Sequence, residues 1–481
     1  MSVVLSNLIG GEAVPPDNDE WFDDIAPATG DVIARIPRSG PSDVDHAVLA
    51  ALGAMDGSWG SASTAERAEL CDDIAAAIEV RLDEFAELES RDTGKPISFA
   101  RNVDIPRSIA NFRFYAGAVR HDETGFHPMA DAINYTVRQP LGAVALITPW
   151  NLPLYLLSWK AAAALATGNA IVAKPSELTP CTADALADVI ANLGAPAGAF
   201  NVVHGYGAEV GQALVEHPDI KAVSFTGGTV TGRRVAATAA PQLKKLSLEL
   251  GGKNPTIVFA DADIDLAVEG AVRAGFSNTG QICLCGSRIL VERSIFAEFT
   301  DRLVEQVGQM VVGAPDDPNT QVGSLIGPDH RSKVEAYIEL ARQDGGTIRC
   351  GGKRPDLPAP WDGGAFLEPT VITGLDPGCR TATEEIFGPV VTVHPFDSEE
   401  EAVGLANAVE YGLAASVWTE DLRRAHRVAA TVQAGMVWVN TWLHRDLRVP
   451  FGGMKNSGVG REGGRWSLDF FTDQRNICIK L

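Results

Sequence analysis

Between residues 41 and 93 apolar positions recur every three or four residues. Over 63–91, Leu70, Ile74, Ala77, Ile78 and Leu82 keep this spacing, which predicts helix. The texture changes at Ala143. Short β-rich runs (AVALIT, AIVAK, FNVV, KAVSFT) alternate with helical ones: YLLSWKAAAALA, then ADALADVIANL after a Thr-Pro-Cys-Thr start, then EVGQALVEH, then a run after Gly228. That alternation predicts βαβ units and a parallel sheet, whose ligands bind beyond the carboxyl ends of the strands. A second series follows Gly251: TIVF, a helix over 264–277, RILVE, a helix over 295–312, VTVHPF, a helix over 399–409, ASVWT and GMVWVN. Residues 355–364, rich in Pro, Gly and Trp, predict a surface loop. The pattern gives an α/β chain of two lobes that meet near 249–254. No internal repeat points to a solenoid. Residues 139–159 carry no charge and imitate a membrane span. Pro140, Pro149, Pro153 and Asn151 argue instead for a buried strand followed by a loop.

Composition narrows the class. With 481 residues, 45% hydrophobic and 21% charged, the chain suits an ordinary globular protein able to bury a large core. This excludes disorder as the dominant state. The net charge of −22 disfavours nucleic acid and anionic membrane surfaces as partners. A small acidic substrate is still compatible, since a few arginines can override the global field locally. Seven irregularly spaced cysteines, and an N-terminal MSVVLSNLIGGEAV without a basic region, predict reduced thiols and a cytoplasmic protein. No metal is expected: HExxH is absent, the nine His are scattered, and Cys283-x-Cys285 is a poor zinc spacing.

Four segments carry candidate chemistry. In FSNTGQICLC, Cys283 follows a helix and a Gly-containing turn, where a thiol can face a cleft; a buried inert Cys is the commoner fate. In KLSLELGGKNP, Glu249 ends an apolar run, where partial burial would make it a usable base; the alternative is a carboxylate bonded to backbone amides. In ITPWNLPLYL, Asn151 stands between two prolines, as an oxyanion donor or a turn residue. In AIVAKPSELTP, Lys174 and Glu177 can hold ribose hydroxyls, or the loop can simply cap a helix through Ser176 or Thr179. Two glycine clusters, HGYGAEVG (Gly205, Gly207, Gly211) and FTGGTVTG (225–232), each follow a strand and open a helix, where anions are favoured.

Together PWN, KPSE, FTGG, LELGGKNP, FSNTGQIC, EEIFGPV and PFGGMKNSGVGREGG, in this order and preceded by RDTGKP, resemble the aldehyde dehydrogenase superfamily. The resemblance implies two Rossmann-like parallel-sheet lobes, for cofactor and catalysis, plus a small β oligomerisation arm. It implies an NAD-binding domain of 1–122 and 141–250, a catalytic domain of 251–451, oligomerisation segments 123–140 and 466–481, and a homodimer or homotetramer. Cys283 would be the nucleophile, Asn151 and the Cys283 amide the oxyanion hole, and Glu249 the activator of water. Lys174 and Glu177 would hold the adenosine ribose of NAD, and Glu385 and Phe387 the nicotinamide ribose and ring. Trp150 and the helix start after Gly227 would line the pyrophosphate, and Ser176, Gly207, Phe225, Gly228 and Thr229 complete the cofactor set. Gly228 stands where many members have Ser, which removes a side-chain donor.

VDIPR, NLPLYLLSWK and NTWLHRDLRVPFGG narrow the resemblance to the 2-hydroxymuconate and 2-aminomuconate semialdehyde dehydrogenases of aromatic-compound catabolism. Their substrate carries a carboxylate, which the planar fork of Arg binds bidentately. Arg107 and Arg445 are the expected ligands; the alternative is ion pairing with Asp446 or Asp104. The expected reaction is NAD-dependent oxidation of a small-molecule aldehyde through a thiohemiacetal and a thioester. The competing readings are a general aldehyde dehydrogenase, a cofactor-free acyl hydrolase and a non-catalytic structural protein.

Overall fold

The computed structural model describes residues 3–481; Met1 and Ser2, at the head of the stretch read against a secretion signal, lie outside it. Five parallel strands form the centre of the first sheet, in the spatial order Lys245–Glu249, Ala222–Thr226, Ala143–Ile147, Ala170–Lys174 and Phe200–Val202. Three of them, AVALI, AIVAK and AVSFT, are buried along their whole length, as strands covered on both faces must be. Asn7–Ile9 and Glu12–Val14 extend one side antiparallel. Gly458–Val459, from the far end of the chain, pairs antiparallel on the other.

The second sheet runs Thr347–Cys350, Thr370–Thr373, Val390–Phe396, Arg288–Glu292, Pro255–Val258, Ala414–Trp418 and Met436–Val439, parallel except at its first strand. A third, antiparallel sheet joins Thr472–Lys480 to Ala132–Pro140 and Phe126–Pro128. Among the described residues no helix is long and apolar enough to cross a membrane.

Local signals fix the helix ends. Ser63 and Glu66 form a reciprocal capping box at the start of Thr64–Val80. The periodic run over 63–91 is two helices. The chain leaves helical geometry at Arg81 (φ −103°, ψ 20°), and Leu82–Thr93 then turns Phe85 and Ala86 into the core while Val80 stays exposed. Pro153 opens Pro153–Ala166 at a position where no N–H is needed, so the uncharged stretch over 139–159 is strand, loop and helix start. The helices expected over 295–312 and 399–409 end sooner, as Phe296–Gly308 and Glu399–Asn407. The Asn407 amide leaves its helix to bond Thr431 and Gln433.

Candidate active site

The parallel strands of the first sheet end along one edge, and the residues just beyond them line a cleft of about 520 Å³. Trp150 and Asn151 follow Ala143–Ile147, and Lys174, Ser176 and Glu177 follow Ala170–Lys174. Gly207, then Phe225, Gly227 and Gly228, then Glu249 come from the next three strand ends. The second lobe supplies the facing wall, with Cys283, Glu385 and Phe387. Thr229, expected among the cofactor ligands, does not line this cleft; Thr231 does. Gly228 is the extended cap, so the helix starts at Thr229, and two helical residues point about 200° apart.

The nucleophile loop is tightly built. Asn278 (φ 50°), Thr279 (φ 57°) and Gly280 (φ 70°) are three successive left-handed residues before Cys283. Strain of this kind, about 1–3 kcal/mol per non-Gly residue, persists only where the surroundings over-determine the backbone. Here they do. Asn254 Nδ2 donates to the carbonyls of Cys283 (2.7 Å) and Cys285 (2.9 Å), and Trp442 Nε1 to that of Leu284 (3.0 Å). A Cβ at Gly252 would stand 2.6 Å from the Cys283 carbonyl, and one at Gly251 2.2 Å from Glu385 Oε2. The two glycines of LELGGK are therefore required by the loop and carboxylate that pack on them. Asn151 Nδ2 gives one hydrogen bond to the Gln281 carbonyl (2.8 Å), which leaves its second N–H, and the Cys283 N–H bonds none of the described residues. Burial, and then the Glu385 and Glu249 charges, push the Cys283 thiol pKa upward.

Both Glu249 oxygens are buried and without a partner among the described residues. Burial, reinforced by Glu462, raises its pKa well above the carboxylate range. Glu462 itself pairs with buried Lys160 at 2.7 Å and accepts from Ser224 (2.9 Å) and Ser247 (3.2 Å). Glu249 is thus a desolvated carboxyl with free lone pairs, in the same cleft as the Cys283 thiol.

At the other end of the cleft Lys174 Nζ and Glu177 Oε2 are 2.6 Å apart, and the Gly207 amide donates to Glu177 Oε1 (3.4 Å). Burial raises the Glu177 pKa, but Lys174 outweighs it and holds the carboxylate charged. Ser176 accepts from Leu178 in a local turn and caps nothing; the first amide of Cys181–Asn192 goes to Asp92. The start of Thr229–Ala239 has no side-chain cap, and a Cβ on Gly228 would meet nothing within 4 Å. Free amides beside open space suit a pyrophosphate, and a charged carboxylate beside a lysine suits ribose hydroxyls, so the residues fit a dinucleotide.

Arg107 and Arg445 stand together on Trp159, outside the residues that line the cleft. Arg107 stacks on Tyr155 (5.3 Å) and Trp159 (5.4 Å), Arg445 on Trp159 (5.4 Å) and Phe451 (4.0 Å). Arg445 Nη1 donates to the Tyr155 hydroxyl (3.2 Å) and Arg107 Nε to Asn111 (3.0 Å), while Arg107 Nη2 is buried without a partner. Neither guanidinium has a carboxylate partner among the described residues. Asp104 belongs to Lys95 and Asp446 to Arg448, each at 2.6 Å, so the ion-pair alternative does not describe them. Burial, with Arg445 adding its like charge, depresses the Arg107 pKa. Tyr155, Leu156, Phe451 and Cys283 share one apolar cluster, which joins this pair to the thiol.

Several residues here escaped the sequence reading. Lys95, in RDTGKP, is a buried hub bonded to Asp104 (2.6 Å), Glu89 (3.3 Å) and the Asn151 carbonyl (3.1 Å). A lone lysine in a loop motif gives no sign of such burial. His330 and Lys333 line the cleft from the helix Pro328–Gln343, which carries no motif.

Comparison with known proteins agrees with this geometry. The model of the Aldehyde dehydrogenase family matches residues 14–477. The chain is 50% identical over 483 residues to the 2-hydroxymuconic semialdehyde dehydrogenase of Pseudomonas sp. (strain CF600), covering 99% of each. It is 49% identical to the 2-aminomuconic semialdehyde dehydrogenase of Danio rerio, over 99% of this chain and 98% of the other. The NAD+ complex of an aldehyde dehydrogenase from Bacillus cereus superposes with a TM-score of 0.96 at 40% identity, covering 99% of this chain and 96% of that one. A cysteine loop, a desolvated glutamate and a dinucleotide cradle share one cleft in a chain matched over nearly its whole length, and the protein belongs to the aldehyde dehydrogenase family.

Proposed function

We propose that this enzyme oxidises a carboxylated semialdehyde, of the 2-hydroxymuconate or 2-aminomuconate semialdehyde type, to the acid with NAD as acceptor. The observation that carries the substrate class is the Arg107–Arg445 pair, two guanidiniums without a protein counter-ion, stacked on Tyr155 and Phe451 of the cluster that holds Cys283. Cys283 Sγ adds to the aldehyde carbon as its thiol proton passes to solvent water in the cleft, and the new oxyanion is met by the free N–H of Asn151 and the amide of Cys283. Bound nicotinamide supplies the acceptor for the hydride that leaves this carbon. The acyl group is then a thioester on Cys283. Glu249 takes a proton from the water that adds to the thioester carbonyl; the C–S bond breaks and the thiol regains its proton. Lys174 and Glu177 hold the adenosine ribose, and Glu177 repels a 2′-phosphate. Gly207, Gly227 and Gly228, with Trp150, Ser176 and Phe225, leave room for the dinucleotide, and Glu385 and Phe387 seat the nicotinamide ribose and ring.

On this reading 1–122 with 141–250 bind cofactor and 251–451 carry the thiol. The arm of 123–140 and 466–481 pairs subunits into a dimer or tetramer, through the exposed strands Phe126–Pro128 and Thr472–Lys480. The enzyme works in the cytoplasm, without nucleic acid or membrane. The test is NADH formation from a muconate-type semialdehyde and from an uncharged aldehyde of equal length. Preference for the first, abolished in Cys283→Ala with cofactor binding intact, is expected. Equal use of both would overturn the substrate class, and a competent Cys283→Ala the chemistry.

A further inference from the structure

His330 has no part in the steps above, yet its ring lies against those of Trp150 (5.4 Å) and Phe387 (6.3 Å). It sits in the first turn of Pro328–Gln343 and its ring lines the cleft. Its Nε2 is 2.7 Å from the carbonyl oxygen of Phe387. A carbonyl only accepts, so Nε2 carries the proton. Burial pushes the His330 pKa down to about 4, and Lys333 adds to the effect, so the ring is neutral and this tautomer is its working form.

The residue it holds is strained. Phe387 has φ +63°, a left-handed backbone that persists in a bulky residue only when its neighbours impose it. The helix of His330 also packs against the next residue: a Cβ on Gly388 would be 2.7 Å from Val334. The Phe387 ring meets Trp150 edge-on (5.3 Å, 89°), and Trp150 meets His330 (5.4 Å, 65°). Three aromatic side chains from three separate segments thus close into a triangle, with one hydrogen bond fixing its strained corner.

We propose that His330 is a positioning residue for hydride transfer: its Nε2–H pins the Phe387 carbonyl and so fixes the ring against which the nicotinamide lies, while its own ring backs Trp150, which braces Phe387 edge-on. The inference rests on the nicotinamide placement proposed above. His330 acts through Phe387 and Trp150, not on the reacting atoms. Lys174 and Glu177 line the same cleft but share no hydrogen bond with His330. Loss of His330 therefore costs alignment, which the transfer step needs, more than binding.

The experiment uses the full-length enzyme saturated with NAD, and follows the first-turnover burst of NADH in His330→Leu, His330→Gln and Phe387→Leu. His330→Leu should slow the burst about tenfold, the scale of one lost hydrogen bond, with KM for NAD held within about twofold. His330→Gln, whose amide N–H reaches the same carbonyl, should recover most of the rate. Should His330→Leu fail to fold, His330→Phe removes the same N–H and keeps the ring. An unchanged burst in the Leu variant beside a slowed one in Phe387→Leu would overturn the inference alone. So would a raised KM at full burst rate, which would make His330 a simple cofactor contact, or equal slowing in the Leu and Gln variants. An unchanged burst in Phe387→Leu would remove the nicotinamide placement itself, and the inference with it.

Discussion

Replacing Arg107 by Met separates recognition from architecture. Met keeps an unbranched stem against Tyr155 and Trp159 while removing the charge. Of the Arg107 donors, Nε is committed to Asn111, and buried Nη2 is free for a ligand. A hydrogen bond from a charged donor contributes about 1.5–3 kcal/mol net, so KM for a carboxylated semialdehyde should rise roughly ten- to a hundredfold. Arg445 remains in place, which argues for the lower part of that span. An uncharged aldehyde of the same length should keep its KM, because it makes no use of the guanidinium. Stability should move the other way. Removing one partner of a buried ion pair costs about 3–5 kcal/mol, but Arg107 has no such partner and faces the like charge of Arg445. Arg107→Met should therefore unfold in urea at the same concentration as the parent or a higher one. The assay is the ratio of kcat/KM for the two substrates in parent and variant, read beside the urea midpoint. An unchanged ratio with a clear loss of stability would return Arg107 to a structural role and refute the argument.

Glu249→Gln should keep a stoichiometric NADH burst and then accumulate a thioester on Cys283, visible by mass spectrometry; loss of the burst would place Glu249 earlier in the reaction. Because burial raises the Glu249 pKa, its base form grows in as pH rises. Deacylation should climb through a midpoint above the usual carboxylate range, and the climb should vanish in the Gln variant. Glu177→Gln should narrow the preference for NAD over NADP, measured as a ratio of kcat/KM; equal use of both cofactors by the parent would contradict the assignment. Lys95→Met leaves Glu89 and Asp104 buried without their cation and should cost about 3–5 kcal/mol in urea unfolding. A neutral result would mean that Asp104, whose pKa burial pushes up to about 7, holds a proton in the native state.

The strands and their edge were legible because a parallel sheet demands unbroken apolar runs, and AVALIT, AIVAK and KAVSFT are such runs. The meeting of Cys283, Glu249 and Asn151 on one cleft was legible because each ends or follows a strand or helix within a motif. Thr229 stands at the helix start while Thr231 lines the cleft, since helical phase depends on where the cap falls, and Gly228 carries no capping side chain to mark it. Lys95, Asn254 and His330 were not legible in their roles. Each works through a partner 31 to 57 residues away in the chain, and such pairings arise only once each lobe packs.

The pairing of Lys160 with Glu462 also bears on how the polypeptide leaves the ribosome. The partners are separated by 302 positions, and the strand Gly458–Val459, which covers the outer edge of Lys245–Glu249, comes from the same late segment. At roughly 5–20 residues per second, Lys160 waits about 15–60 s for its carboxylate. In that interval the first sheet is made of emerged chain, yet it carries a bare edge and an ammonium with no counter-charge in its interior. Neither is tolerated in a settled core, and open edges invite aggregation. The first lobe is thus expected to stay loosely packed until translation is nearly over, and nascent chains stalled before residue 458 should be readily digested by protease across 143–249.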